Sequence, residues 1–335
     1  MTSRERVLKS LEFSLDGKVP RQIWVLPWAE NHYPEDVKQI RKDFPDDIEG
    51  APLLYSNEPR ITGDPYLPGS YSDEWGCEFV NIHEGVIGEV KNPIIRTLED
   101  AEKLSLPENL LSLRQEEVNN YCRSRDTFIL QGTCARPFER IQFLRGTENI
   151  YLDIGEKSDL LKVLLNKVHQ FYLKEMEVWA DTDVDGLFFI DDWGSQQSLL
   201  ISPETWRELF KPLYREYTEL AHSRGKKVFM HSDGFILDII PDLIEIGVDA
   251  LNSQVFCMGI DPLGKYRGEI CFWGEIDRQN MLPLGSPETV FQAVQELYDK
   301  LYSRGGIIAQ CEFGPGAKPE NIRTVFQAWN SVVSA

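Results

Sequence analysis

The chain has 335 residues, 42% hydrophobic and 27% charged, with a formal net charge of −19. This is ordinary composition for a soluble globular fold with a large core. The acidic balance argues against nucleic acid or an anionic membrane as a main partner, since both call for a basic footprint.

No apolar run reaches the roughly 18 residues needed to span a bilayer. Residues 1–6 lack the apolar stretch of a signal peptide, so a cytoplasmic protein is expected. Six cysteines, at 77, 122, 134, 257, 271 and 311, are scattered with no Cys-x-x-Cys pair. That pattern suits reduced, buried thiols better than a disulfide framework.

In chain order, Thr2 and Glu5 form a capping-box start to an amphipathic helix carrying Val7, Leu8 and Leu11. Residues 22–26 read as a buried strand stopped by Pro27. Residues 44–95 are irregular and rich in Pro, Gly and aromatic side chains. A barrel strand is expected near 46–54, and a hairpin pairing 76–82 with 86–90. Residues 127–132 read as a strand ending in glycine, followed by helices over 137–144 and 156–182.

Residues 186–194 form an apolar run with Asp191 and Asp192 at its end. Ser202 and Ser286 each open a helix, with proline in the first turn. The run 227–231 ends in His231, Ser232, Asp233 and Gly234, with a helix expected over 235–246. Further strands are expected at 248–252, 269–274 and 306–311, with helices over 287–302 and 319–333.

Seven strands alternating with helices are thus legible, and an eighth is placed in the irregular region. The strands are apolar throughout, as in parallel sheets covered on both faces. A doubly wound sheet would fit the same pattern but usually carries a glycine-rich phosphate turn after an early strand, and none is present. The expected fold is an α/β (β/α)8 TIM barrel, a single domain over 1–335 with an irregular insertion at about 44–95.

Barrel strands bring their C-terminal residues around one cavity. Those residues include Trp24, Trp28, Asp191, Asp192, His231, Asp233, Asn252, Gln254, Glu275, Asp277, Cys311 and Glu312. Three kinds of chemistry fit them. His231, Cys311 and a carboxylate (Asp233 or Glu275) would hold zinc with one position open. Asp191, Asp192, Glu275 and His231 would serve as metal-free acids and bases, although Asp192 and Asp277 read better as helix caps or ion-pair partners. Trp24, Trp28, Trp193 and Trp273 would stack on a flat ligand without chemistry.

The segments 4–11, 202–214 (with Phe210-Lys211-Pro212), 225–233 and 311–320 together resemble the uroporphyrinogen decarboxylase superfamily. The resemblance covers nearly the whole chain and implies a (β/α)8 barrel. Its decarboxylases carry an arginine-rich segment after the first strand that grips propionates, whereas residues 24–31 here contain no arginine.

Its corrinoid-linked methyltransferases bind zinc through His-x-Cys at the middle strand and a Cys at the last strand. His231 and Cys311 match, and Asp233 stands in place of the first Cys. Gln254 falls near the position where related cobalamin-independent methionine synthases place a zinc-binding glutamate.

The resemblance therefore implies a zinc-dependent methyltransferase moving a methyl group between a corrinoid, on a partner protein, and a small-molecule acceptor. Its expected metal ligands are His231, Asp233 and Cys311. Asp191 and Glu275 are expected to be catalytic, and Trp24, Trp28, Asn252 and Gln254 to bind substrate. The alternatives are a metal-free carboxy-lyase of the same superfamily and a non-catalytic barrel that binds a tetrapyrrole or corrinoid.

Overall fold

A computed structural model describes residues 1–332. Eight strands form the central sheet: β1 (Arg21–Val25), β2 (Ile48–Gly50), β3 (Phe128–Leu130), β4 (Gly186–Ile190), β5 (Lys227–Ser232), β6 (Ala250–Ser253), β7 (Cys271–Trp273) and β8 (Ile307–Phe313). Each is hydrogen-bonded in parallel to its sequence neighbour from β2 through β8, and β8 returns to pair with β1. This is the expected (β/α)8 barrel.

Side chains span the seam between β1 and β2. The amide of Arg21 donates to Asp47 Oδ2 at 2.9 Å, and that of Ile23 to Asp46 Oδ1 at 2.8 Å. The amide of Asp47 in turn donates to the Arg21 carbonyl at 2.8 Å. Two adjacent aspartates thus satisfy backbone donors that a ladder would otherwise use.

Strand parity divides the apolar residues between two cores. Ile48, Phe128, Leu130, Phe229, Ala250, Cys271, Trp273 and Ile308 point into the barrel, with Trp24 and Phe188 packed against them. Their neighbours along each strand, such as Leu187, Val228, Met230, Leu251 and Cys311, face the helical shell. Successive side chains of a strand alternate between faces, so this partition fixes which strand-end residues reach the mouth. Helix Ser3–Leu11 closes the opposite end: Val7 and Leu11 join the barrel core, and Thr2 forms the expected capping box with Glu5.

The irregular region contains the expected hairpin, Glu78–Asn81 with Glu89–Val90, and a third strand, Gly69–Ser72, on its other side. Two helix boundaries differ from expectation. Residues 147–156 form a helix of their own before the long helix Asp159–Ala180, separated by Lys157 in a left-handed conformation and a Ser158 cap. Residues 235–246 hold only a 3-10 turn and the short helix Ile240–Glu245. The last helix runs Pro319–Val332; its expected end at 333 lies outside the described residues.

Candidate metal and acid/base site

Strands β4, β5 and β6 build the centre of the site. His231 shares the inward parity of Phe229 and lies at the barrel mouth, 5% exposed. Its Nδ1 is 2.5 Å from Asn252 Oδ1. The Asn252 amide nitrogen donates to the Trp273 carbonyl, so the oxygen of that amide is the group facing the ring. An amide oxygen only accepts, which places a proton on His231 Nδ1. The tautomer of the neutral ring is thereby set, and Nε2 turns its lone pair toward the mouth.

That nitrogen faces two carboxylates. Asp192 Oδ1 is 3.5 Å from Nε2, and Asp233 Oδ1 is 3.4 Å away. Asp192 also accepts from the Asp233 amide at 2.9 Å, while Asp233 Oδ1 is buried with no hydrogen-bond partner. The other Asp233 oxygen is gripped by Arg278. The ligand atoms of Asp192, His231 and Asp233 all lie within 4.8 Å of one another.

Glycines bring the two loops together. A Cβ on Gly194 would lie 2.2 Å from the Phe235 nitrogen, and one on Gly234, whose φ is +78°, would lie 2.1 Å from the Gly194 carbonyl oxygen. The chains leaving β4 and β5 therefore touch backbone to backbone, and only glycine fits at the crossing.

Two of the expected site residues face away from the mouth. Cys311 faces outward into the helical shell, fully buried, and is not grouped with His231 and Asp233. Burial pushes its thiol well above the usual range, reinforced by Glu275. Strand parity is the reason: Trp24 pairs in register with Glu312, and the Trp24 ring is 5.3 Å from that of His231. Glu312 is therefore the β8 residue at the mouth.

Asp191, 0% exposed, has outward parity for the same reason. It accepts hydrogen bonds from the Phe138 and Glu139 amides at 3.0 and 2.8 Å and from the Tyr214 hydroxyl at 2.5 Å. It anchors the start of helix Pro137–Arg145 rather than meeting a substrate. Asn252, fully buried, directs its amide oxygen at His231 and its amide nitrogen at the Trp273 carbonyl, so both ends of the amide are occupied within the protein.

The remaining expected residues divide. Trp24 forms a wall beside His231, in edge contact with Trp273 at 5.2 Å. Trp28 stacks on His32 at 4.3 Å and packs near Tyr33, in a separate aromatic cluster. Gln254 accepts from Gln196 at 3.2 Å. Together with Glu275, Cys257, Arg278 and Asn280 it lines a cavity of about 140 Å³.

Arg278 and Glu275 define the second half of the site. Arg278 holds Asp233 and lies 3.2 Å from Glu312 and 3.8 Å from Glu275. Glu275 is 1% exposed, and neither of its oxygens has a hydrogen-bond partner. Burial pushes its carboxyl up to about 8, opposed by Arg278 and reinforced by Asp233. Glu312 is also raised, by burial first.

Glu139, from helix Pro137–Arg145, adds another carboxyl raised by burial; its charge couples to Arg136, Asp192 and His231. From the sequence, Asp192 reads as a helix cap or ion-pair partner, and Glu139 carries no signal. For Glu312 a signal exists: Gln310 and Glu312 are polar two residues apart in an otherwise apolar run, which marks one face of the strand.

The chain belongs to the uroporphyrinogen decarboxylase (URO-D) family, whose model matches residues 72–332. Among curated proteins none matches it. Among solved structures, a methyltransferase from Methanosarcina mazei is similar over 99% of both chains, with 16% identity and a TM-score of 0.68. A structure described as the IOLI protein with a binding zinc atom covers 68% of this chain and 84% of its own, at 15% identity and a TM-score of 0.41. An endo-β-1,4-xylanase from Gloeophyllum trabeum covers 64% and 79%, at 10% identity and a TM-score of 0.37. Among the described residues no helix is long and apolar enough to cross a membrane.

Proposed function

We propose that this member of the URO-D family is a metal-dependent methyltransferase. It holds a divalent cation, zinc in the first instance, on His231 Nε2, Asp233 and Asp192, and moves a methyl group between a corrinoid on a partner protein and a small-molecule acceptor. The reading takes residues 1–335 as a single cytoplasmic barrel domain.

The observation that carries it is the direction of His231. Its Nδ1 is committed to Asn252, and its Nε2 faces two carboxylate oxygens, one of them buried without a hydrogen-bond partner. A lone pair set against two anions is unfavourable unless a proton or a metal cation stands among them. One nitrogen and two oxygens form a harder donor set than the thiolate-rich one that the resemblance implied, and it suits zinc as well as other divalent ions. The similarity of fold to a methyltransferase supports the same reading.

Bound there, the cation would lower the pKa of an acceptor thiol or hydroxyl and favour its anionic, nucleophilic form. The chain's own residues do the rest. Asn252 fixes the imidazole, and Arg278 holds Asp233 in place. Glu275, buried with no hydrogen-bond partner and 3.8 Å from Arg278, takes the acceptor's proton through its ionised fraction; its carboxyl at about 8 exchanges protons near neutrality. Gln254 and Gln196 line the small cavity beside it and orient the acceptor. Trp24 shields one side of His231 from water.

The test is demethylation of methylcobalamin in the presence of a small thiol, followed by the absorbance change of the corrinoid. Turnover that a chelator abolishes and zinc restores supports the reading. Turnover indifferent to chelation removes the metal from it.

One observation favours a second reading. Glu275 is a mainly protonated acid beside a guanidinium at neutral pH, the pairing a metal-free carboxy-lyase would use to hold a carboxylate substrate and return a proton to carbon. This reading predicts carbon dioxide release from a carboxylated substrate, unaffected by chelator and lost in Glu275→Gln.

A further inference from the structure

A larger cavity, of about 510 Å³, lies between the irregular insertion and the loop that leaves β3. This volume falls in the ordinary range for small-molecule sites. Its walls are aromatic, with Tyr55, Tyr66, Tyr71, Trp75, Phe143 and Tyr172 among them, and Leu53, Ile61 and Ile87 stand at its lining while remaining half exposed. It adjoins the site already described through Arg136, which lines the cavity and lies 3.7 Å from Glu139.

The polar groups in this lining are of two kinds. Some are already spent. Arg140 is paired with Asp73 and with Glu74, and it lies over the rings of Trp75 and Phe143. Arg136 donates to Cys134 at 2.8 Å.

Others are unspent. The Tyr55 hydroxyl, on a residue 4% exposed, has no hydrogen-bond partner; the Thr133 hydroxyl makes no close hydrogen bond either, although it lies near enough to the Glu175 carboxyl to act on it. Buried hydroxyls without partners are costly, and their convergence on one cavity indicates a ligand that supplies the missing bonds. Glu175, 2% exposed, lies on the same lining. Burial pushes its carboxyl to about 8, so at neutral pH it is mainly the uncharged acid, able both to donate and to accept.

These features select a ligand by chemistry. Aromatic walls favour a flat aromatic ring system. Unpaired hydroxyls and a neutral acid favour a neutral polar group over a charged one. Burying a carboxylate against Glu74, Asp73 and Glu175 carries a desolvation cost, and the two arginines of the lining are already directed at other acids, Arg140 at Asp73 and Glu74 and Arg136 at Glu139. We infer that this cavity binds a neutral, flat aromatic molecule bearing a hydroxyl group, which Tyr55, Thr133 and Glu175 hydrogen-bond. The binding claim goes beyond the methyl-transfer reading and does not require it.

The experiment is isothermal titration of the full chain, without metal or corrinoid, against 2-naphthol, naphthalene and 2-naphthoate. The expected result is saturable binding of 2-naphthol, tighter than naphthalene by roughly tenfold, the scale of one or two net hydrogen bonds, and weak or absent binding of 2-naphthoate. In the double variant Tyr55→Phe, Thr133→Val, which keeps size and shape, naphthalene should bind as before while the advantage of 2-naphthol shrinks to about twofold or less.

Three results would overturn the inference: no saturable binding of 2-naphthol, 2-naphthoate binding as tightly as 2-naphthol, or an unchanged naphthol-to-naphthalene ratio in the double variant. Because the titration contains neither cation nor methyl donor, its outcome is separable from that of the methyl-transfer assay.

Discussion

His231 Nε2 and Asp233 Oδ1 are 3.4 Å apart, and that buried oxygen has no hydrogen-bond partner. The other oxygen of Asp233 is held by Arg278. Asp233 is therefore neither a helix cap nor a free surface acid: it is clamped from behind and presents one oxygen to an imidazole whose orientation is set by Asn252. The arrangement has the logic of a metal ligand supported by outer partners.

That logic makes Asn252 a test residue. In Asn252→Ala the imidazole loses the acceptor that fixes its tautomer, while the three proposed ligands remain. Zinc affinity, measured by competition with a chromophoric chelator, should fall by roughly 10–100-fold, with near-normal binding capacity at saturating metal. Unchanged affinity would show that the Asn252 contact serves packing alone.

Cys311 offers the converse experiment. It faces the helical shell and is fully buried. Cys311→Ala should leave metal stoichiometry untouched and cost about 1 kcal/mol of stability in urea unfolding, as a small truncation in a packed core does. Loss of bound metal in a folded Cys311→Ala protein would return the thiol to the site.

The expected site residues that face away from the mouth share one physical cause. Parallel barrel strands are apolar on both faces, so the run itself does not say which of two consecutive end residues points inward. The strand ending in His231 read correctly because the histidine is the first polar side chain after the apolar run and lies on the inward face with Phe229. At the ends of β4 and β8 both residues of each pair, Asp191 with Asp192 and Cys311 with Glu312, are expected at the mouth; Asp191 is preferred as an acid, and Cys311 as a thiol ligand that matches the resemblance. In each pair the residue preferred faces the helical shell and its neighbour faces the mouth, because one residue along a strand means the opposite face. Helix starts were more legible, because capping chemistry is local: Thr2, Ser202 and Ser286 each cap a helix. Arg278 carried no local signal, since its role depends on three carboxylates that meet only in the folded chain.

Buried acids make stability depend on pH in a defined direction. Burial raises Glu175 and Glu275 to about 8 and Asp46 to about 7, against about 4 in an unfolded chain. The native state therefore holds more protons than the unfolded state between about pH 4 and 8. The contribution of these groups to stability is fully present below about pH 4 and declines as pH rises through the folded-state values. Glu175→Gln removes one such group. The Tm difference, variant minus wild type, should therefore become more positive from pH 5 to pH 8, by a few degrees. A difference independent of pH would mean that Glu175 titrates as an ordinary carboxyl.

The central claim is that His231, Asp233 and Asp192 hold one divalent cation. The most direct measurement is metal content by mass spectrometry of protein purified without a histidine tag and reloaded with zinc after chelation. It is to be made on the wild type and on folded His231→Ala, Asp233→Asn and Cys311→Ala proteins. The account predicts one zinc per chain in the wild type and in Cys311→Ala, and little or none in His231→Ala and Asp233→Asn. A wild type that takes up no metal, or full occupancy in His231→Ala, would contradict it.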